Sequence, residues 1–98
     1  MNKEDLKVGE TYYFKQSDSN GSWIINITKL EVDYLCGHSL YPEGPYFYSA
    51  VASRWGHPNQ IDYSTLRKAT SDEIAWLNQC IKANKYTEKP INKELFLL

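Results

Sequence analysis

The chain has 98 residues, enough for one hydrophobic core and too few for two, so we expect a single domain covering residues 1–98. A hydrophobic share of 42% with 23% charged residues is typical of a folded globular protein and argues against intrinsic disorder. A net charge of −1 argues against the clustered basic excess that grips nucleic-acid backbones, so sequence-independent DNA binding is not expected.

The first strands are predicted from β-forming residues separated by turn signals. Residues 11–16 are rich in tyrosine and phenylalanine and predict a strand. Residues 17–21 form a turn cluster that ends in Asn20-Gly21, a pair that suits the positive φ angles of a tight hairpin. Residues 22–30 predict a second strand with one apolar side and one mixed side. The apolar side carries Trp23, Ile25 and Ile27, joined by Lys29 if the alternation continues, and the mixed side carries Ile24, Asn26, Thr28 and Leu30.

Three further strands follow. Residues 31–41 keep a period of two and predict a third strand, with a bulge or bend at Gly37. Residues 46–52 predict a fourth strand and residues 61–68 a fifth. Residues 53–60 contain glycine, proline and asparagine and predict a loop. Consecutive strands without helices between them indicate an antiparallel meander.

A single helix is predicted after the strands. Thr70 and Glu73 form a capping box, so the helix is expected at about residues 71–84. Apolar residues then recur at helical spacing. The stripe consists of Ile74, Leu77 and Ile81, widened by Trp76, Cys80 and Ala83. We expect Trp76 to pack into the core rather than to project as an anchor for a partner.

The fold class that follows is α+β. We expect a small antiparallel sheet of about five strands within residues 10–68, barrel-like or strongly bent, capped by the one C-terminal amphipathic helix. Residues 86–98 form a tail with an apolar end, which we expect to dock on its own domain or to join copies of the chain into a homo-oligomer. That end consists of Leu95, Phe96, Leu97 and Leu98.

Location and redox state follow from the composition of the segments. The N-terminus has no apolar region typical of an export signal, and no segment approaches the roughly 18 apolar residues of a membrane span. We therefore expect a cytoplasmic protein without membrane contact. Cys36 and Cys80 are then expected to be reduced thiols in the core.

Two patterns of cysteine and histidine residues have the composition of chemical sites. Cys36 and His38 lie two apart on one face of a strand and could act as nucleophile and base, although no orienting group or oxyanion site accompanies them. Cys36, His38, His57 and Cys80 offer zinc-binding atoms, but only the first two are close in sequence, unlike the paired ligands of structural zinc sites. We expect no catalytic residue, metal or cofactor.

The segment of residues 46–60 has the composition of a recognition site. Its rings can stack on a base or a side chain, an arginine supplies a fork of donors for phosphate or carboxylate, and amides read hydrogen-bond edges. The predicted ligand-binding residues are Tyr46, Tyr48, Arg54, Trp55, His57, Asn59 and Gln60. The alternative is structural: alternate rings fill the core, Trp55 closes one end of the sheet, and residues 56–59 only turn the chain.

Residues 69–85 carry the pattern Ala-Thr-x-x-Glu-Ile-x-Trp-Leu-x-x-Cys-Ile-Lys-Ala. This string resembles the end of small uncharacterised proteins encoded by phages and prophages, particularly of Bacteroidota. The resemblance covers about a fifth of the chain and implies a phage or mobile-element origin, with the host cytoplasm as location. It implies no mechanism.

Three functions are consistent with these observations. The first is a non-catalytic phage accessory protein that neutralises a host component by binding, in particular by sequestering a small nucleotide-type immune signal. The second is a protein–protein inhibitor of a host defence protein, with exposed rings and the apolar tail as contact surface. The third is a small hydrolase that uses Cys36 and His38.

Overall fold

The computed structural model describes residues 1–17, 21–56 and 60–90. The elements in chain order are β1 Thr11–Gln16, β2 Ser22–Leu30, β3 Tyr34–Tyr41, β4 Tyr46–Tyr48, β5 Arg54–Gly56, β6 Ile61–Lys68 and the helix α1 Ser71–Ala83. Short 3-10 helices occupy Lys3–Asp5 and Ala50–Ala52. The predicted α+β class, with one C-terminal helix after the strands, is confirmed.

All strand pairs are antiparallel, and the order across the sheet is β4, β3, β2, β1, β6. β5 also pairs with β3, on the edge that β4 uses, because β2 fills the other edge. Within the described residues no pairing joins β6 to β4 or β5, so the sheet is open. It is nevertheless strongly bent: Phe14 on β1 reaches Trp55 on β5, with ring centroids 5.0 Å apart.

The concave side of the sheet encloses the larger core, which we call the inner core. Strand alternation places every second side chain on this side, and rings and branched aliphatics fill it. Its buried members are Leu6, Tyr12, Phe14, Trp23, Ile25, Ile27, Leu35, Trp55, Ile61 and Leu66. The aromatic residues Tyr12, Phe14, Trp23 and Trp55 therefore supply a large part of this core.

The convex side of the sheet is covered by α1 through a smaller core, the helix-side core. Ile24 and Leu40 come from the sheet, and Leu77 and Cys80 from the helix. The buried face of α1 differs slightly from the predicted apolar stripe. Ile74, predicted to lie on that face, is exposed, and Trp76 and Ile81 pack at the margin of the helix-side core.

The predicted fourth strand and the following loop are both wrong in part. The strand ends at Tyr48, and Ala50–Ala52 form a 3-10 helix instead of continuing it. The predicted loop contains β5, whose Trp55 pairs with Leu35. The 3-10 helix leads the chain away from the edge of β3, and β5 then pairs with that edge again. A local sequence pattern does not predict this return.

A bulge lies opposite the glycine where a bend is predicted. Ile27 pairs with Gly37 and Lys29 with Cys36, so the extra residue belongs to β2. The shift reverses the alternation after Ile27. Leu30 consequently packs against the inner core, on the side opposite to the one that simple alternation predicts.

The helix begins as predicted. The Thr70 side chain accepts a hydrogen bond from the Glu73 amide, and the Glu73 carboxylate accepts one from the Thr70 amide. The helix ends at Asn84, which adopts the left-handed conformation with φ 53°. No helix within the described residues is long and apolar enough to span a membrane.

The chain after the helix folds back on α1. The Trp76 indole donates to the Thr87 carbonyl at 2.8 Å, and the Gln79 amide donates to the Thr87 hydroxyl at 2.7 Å. Tyr86 packs edge-on against Trp76. The start of the predicted tail thus docks on its own domain, while its apolar end at 95–98 lies outside the described residues, as does Asn20 of the predicted hairpin turn.

Gly37 leaves no room for a side chain. A Cβ at Gly37 would overlap the Asn26 backbone oxygen and approach Ile25 Cγ1 to 2.8 Å, whereas a Cβ at Gly56 would meet only the end of the Gln60 side chain, at 3.2 Å. We expect Gly37→Ala to lower the free energy of unfolding by about 1–3 kcal/mol and Gly56→Ala, which meets one side-chain atom and no backbone, to lower it by less than about 1 kcal/mol in urea titrations. Equal effects of the two substitutions would contradict this packing.

Glu73 makes stability depend on acidity. Its hydrogen bonds from Arg67, with a smaller contribution from the Thr70 amide, hold the pKa of the Glu73 carboxyl below its ordinary value. A depressed folded-state pKa stabilises the protein above the unfolded value of about 4.3, and this contribution is lost as the pH falls through the folded value. We expect Glu73→Gln to narrow the difference in unfolding free energy between neutral and strongly acidic pH. Urea titrations of both proteins at the two pH values measure this, and an unchanged difference in Glu73→Gln would contradict the stabilising role of the Glu73 carboxylate.

Candidate functional site

Two exposed tyrosines stand side by side on the short edge strand β4. Tyr46 pairs with Tyr41 and Tyr48 pairs with Ser39, so both rings project on the concave side of the sheet. Tyr46 is 55% exposed and Tyr48 41% exposed, and their ring centroids lie 6.4 Å apart at an angle of 28°. This edge therefore presents a nearly parallel pair of rings to solvent.

The turn before β4 fixes the start of this ring pair. A Cβ at Gly44 would overlap the rings of both Tyr41 and Tyr46, so only glycine fits between them. Tyr41 and Tyr46 are themselves in ring contact, with centroids 6.4 Å apart. The rings of β4 are thus packed against β3 by close contacts on both sides of the turn.

Trp23 connects the exposed rings to the inner core. Its ring lies 5.9 Å from that of Tyr48, 4.8 Å from that of Tyr41 and 4.9 Å from that of Trp55, measured between centroids. The Trp23 indole donates to Gln16 Oε1 at 3.0 Å, which fixes its plane. A continuous series of rings therefore runs from the surface at Tyr48 into the core.

A cleft of about 180 Å³ opens beside Tyr48 at this end of the bent sheet. It lies between the edge formed by β4 and β5 and the ends of β1 and β6. The cleft is lined by Gln16, Trp23, Tyr48, Ala52, Ser53, Arg54, Trp55 and Gln60. Four of the seven predicted ligand-binding residues are thus brought together: Tyr48, Arg54, Trp55 and Gln60.

Trp55 belongs to the inner core and forms one wall of the cleft. Its ring is buried, and its indole nitrogen donates to the hydroxyls of Ser39 at 3.3 Å and Ser53 at 3.1 Å. Because that donor is directed inward, Trp55 can offer a ligand only a ring surface. This position matches the structural alternative for Trp55, a ring that closes one end of the sheet.

Arg54 borders the cleft, but its guanidinium is held on the convex side. Arg54 pairs with Cys36, and its neighbour Trp55 faces inward, so the Arg54 side chain projects outward. Its Cζ lies 3.9 Å from the centroid of the Tyr34 ring. The contact is a stacked cation–π arrangement on an exposed surface.

The last predicted site residues lie in the connection between β5 and β6. Gln60 Oε1 accepts a hydrogen bond from the Gly56 amide at 2.6 Å, which ties the ends of this connection together. His57 and Asn59 lie outside the described residues. Tyr46 does not line the cleft and adjoins it only through Tyr48.

Sequence reasoning missed Gln16, Trp23 and Ser53 as cleft residues and Tyr34 as the partner of Arg54. Trp23 and Gln16 carry a usable signal, since one lies on the inward side of β2 and the other at the end of β1 next to the turn. Tyr34 carries none, because its contact with Arg54 depends on the register between β3 and a strand that the sequence does not predict.

Cys36 and His38 share the convex side of β3. His38 Nδ1 accepts a hydrogen bond from the Ala50 amide at 3.2 Å, and its ring stacks on Phe47 with centroids 6.3 Å apart. An accepting Nδ1 places the proton of the neutral imidazole on Nε2, so Nδ1 is already occupied as a base. Cys36 is half-buried rather than in the core, and Cys80 is fully buried.

Metal ligands do not cluster in the part of the chain that the structure describes: no three histidine, cysteine, aspartate or glutamate side chains are close enough to share an ion there. His57, one of the four residues that offer zinc-binding atoms, lies outside that part of the chain.

Comparison with protein-family models, curated proteins and solved structures gave no match to this chain.

Trp55 provides a test of how the wall of the cleft is built. We expect Trp55→Ala to lower the free energy of unfolding by about 3–5 kcal/mol, because it removes a buried indole that contacts Phe14 and Trp23. Trp55→Phe should cost less, since it keeps a ring in the same place. Urea unfolding followed by circular dichroism measures both, and a Trp55→Ala protein of unchanged stability would contradict the assignment of Trp55 to the core.

Proposed function

We propose that this protein is a non-catalytic binding protein of phage origin, which neutralises a host component by holding a small nucleotide-type ligand in the cleft beside Tyr48. The observation that carries the proposal is the pair of exposed, nearly parallel rings of Tyr46 and Tyr48 at the mouth of a cleft whose walls include two tryptophans. Exposed aromatic faces bind flat ring systems by stacking, each worth roughly 1–3 kcal/mol.

The size of the cleft supports a ligand that enters with one ring only. Its volume of about 180 Å³ is below the roughly 300 Å³ at which pockets begin to enclose drug-sized molecules. A single ring system could lie inside against Tyr48 and Trp23. The remainder of the ligand would lie outside, along the edge formed by β4 and β5.

The surroundings of Cys36 and His38, which lie two residues apart on β3, favour binding over hydrolysis. His38 Nδ1 accepts a hydrogen bond from the Ala50 amide, and the His38 ring stacks on Phe47. These two contacts are typical of a histidine with a structural role. Cys36 and His38 also lie on the convex side of the sheet, whereas the cleft opens on the concave side. Neither side chain lines the cleft.

The phage origin rests on the resemblance of residues 69–85 to phage and prophage proteins. In that setting the nucleotide-type ligand would be an immune signal of the host, and the protein would act in the host cytoplasm. A homo-oligomer formed through Leu95, Phe96, Leu97 and Leu98 would allow the ligand to be held between subunits. These tail residues lie outside the described residues.

A second function, inhibition of a host defence protein by direct contact, is favoured by a different observation. Val51 on the 3-10 helix between β4 and β5 is 99% exposed and follows the exposed Tyr48 by three residues in the chain. Tyrosine is enriched in protein contact surfaces, and the exposed valine adds apolar area to the same segment. Here the edge itself, and not the cleft, would be the binding surface.

Native mass spectrometry of gently purified protein tests the two functions. We expect the folded protein to carry a ligand of a few hundred daltons that is lost on denaturation. Tyr48→Ala should reduce its occupancy by roughly tenfold, in line with the loss of one stacking contact, while Tyr48→Phe should retain it. Val51→Ser, on the same edge but outside the cleft, is the matched control and should leave occupancy unchanged.

A ligand-free protein that instead captures a host protein, with capture lost in Val51→Ser, would replace the leading function by the second. Full ligand occupancy in Tyr48→Ala would contradict the assignment of the cleft.

A further inference from the structure

The chain has two arginines, and both guanidinium groups stack on a tyrosine ring. Arg67 Cζ lies 4.0 Å from the centroid of Tyr13, and Arg54 Cζ lies 3.9 Å from the centroid of Tyr34. Each pair joins side chains of neighbouring strands on the convex side of the sheet. The two sites therefore have the same construction and can be compared directly.

The Arg67 site is filled from within the chain. Arg67 Nη1 and Nη2 donate to the two carboxylate oxygens of Glu73 at 2.8 and 2.9 Å, a bidentate pair. The Tyr13 ring stacks on the flat face of the Arg67 guanidinium, and the Glu73 carboxylate accepts hydrogen bonds from its two terminal nitrogens. This site shows that a ring-stacked arginine in this protein binds a carboxylate through two parallel hydrogen bonds. The same donor fork also matches two oxygens of a phosphate.

The Arg54 site has the same kind of ring, a tyrosine, but no anion from the described part of the chain. Arg54 is exposed, and within residues 1–17, 21–56 and 60–90 no acceptor bonds its guanidinium and no carboxylate pairs with it. Lys29 adds a second positive charge, with its Nζ 5.6 Å from the Tyr34 ring centroid. The Lys29 ion pair with Glu31 is long, at 4.0 Å, and largely exposed, so it neutralises Lys29 only weakly.

We propose that Arg54 is the receptor for the phosphate of the bound ligand, with Tyr34 as the residue that positions it. Stacking on Tyr34 restricts the guanidinium before the ligand arrives, so fewer rotamers are lost on binding. Arg54 also borders the cleft, so one ligand can reach both places. The ligand is then a phosphate ester of a ring compound, with its ring in the cleft and its phosphate across the edge strand β5. The identity of the ring portion rests on the proposed function.

The two arginines allow a test that does not depend on the cleft. A nitrogen-15 spectrum of arginine side chains contains only two Nε signals, from Arg54 and Arg67, which Arg67→Lys assigns. We expect pyrophosphate to shift the Arg54 signal and to leave the Arg67 signal in place, because Glu73 already fills its fork. Acetate should shift Arg54 at much higher concentration only. An Arg54 signal that pyrophosphate does not move, or equal shifts of both signals, would overturn the proposal.

The positioning role of Tyr34 is tested by keeping or removing its ring. Tyr34→Phe retains the ring face and should keep the affinity of Arg54 for pyrophosphate within about twofold. Tyr34→Leu removes the face and should weaken that affinity by about fivefold, the scale of an exposed cation–π contact. Tyr13→Leu at the Arg67 site is the control and should leave the affinity unchanged. Equal affinities in the Phe and Leu variants at Tyr34 would remove its positioning role.

A comparison of adenosine with adenosine monophosphate separates this proposal from the proposed function. We expect the monophosphate to bind the wild-type protein roughly tenfold more tightly than the nucleoside, and Arg54→Gln to abolish the difference. Equal binding of both compounds to the wild type would overturn the phosphate receptor and leave the ring cleft standing. A pyrophosphate shift at Arg54 without binding of either compound would retain the receptor and reject a nucleotide as the ligand.

Discussion

The structure depends on one constraint: strand β2 carries buried apolar side chains on both of its faces. Trp23, Ile25 and Ile27 point to the concave side, while Ile24 points to the convex side. If one face of the sheet were solvated, the apolar side chains of β2 on that face would be exposed to water. Each face therefore needs its own layer of structure packed against it. The bending of the sheet encloses the first set of side chains, and the capped helix α1 covers the second. The positions of the cleft and of the convex arginine sites follow from this division.

The bend that encloses the inner core also creates the cleft. Enclosure requires β5 to return to the edge of β3 so that Trp55 can reach Phe14 and Trp23 across the concave side. The 3-10 helix at Ala50–Ala52 separates β4 from β5 on that edge. Tyr48 consequently remains at the surface while Trp55 is buried, and the gap between them is the cleft. The cleft is therefore the open end of the inner core, and the core residues Trp23 and Trp55 form part of its wall.

Much of the fold could be predicted from local patterns because those patterns act over a few residues. The capping box of Thr70 and Glu73, the alternation at the start of β2 and the turn signals between strands each report an interaction that is complete within about ten residues. β5 could not be predicted in this way, since three residues pair with a partner about twenty positions away. The bulge after Ile27 is likewise a property of the pair of strands, and it moved Leu30 to the opposite side.

The site was partly predictable for the same reason. Composition alone indicated the rings and the arginine of residues 46–60, but alternation along β5 sends Arg54 and Trp55 to opposite faces, so composition could not say which of them meets a ligand.

The contact between Trp23 and Tyr48 has a spectroscopic consequence. An indole at the back of the cleft, hydrogen-bonded to Gln16 and in ring contact with both an exposed tyrosine and a buried tryptophan, emits light whose wavelength and yield depend on what occupies the cleft. Trp76 lies on the other side of the sheet, among side chains of α1 and residues 86–87. The chain therefore contains one fluorophore pair at the cleft and one distant reference, so that occupancy of the cleft can be followed in unlabelled protein.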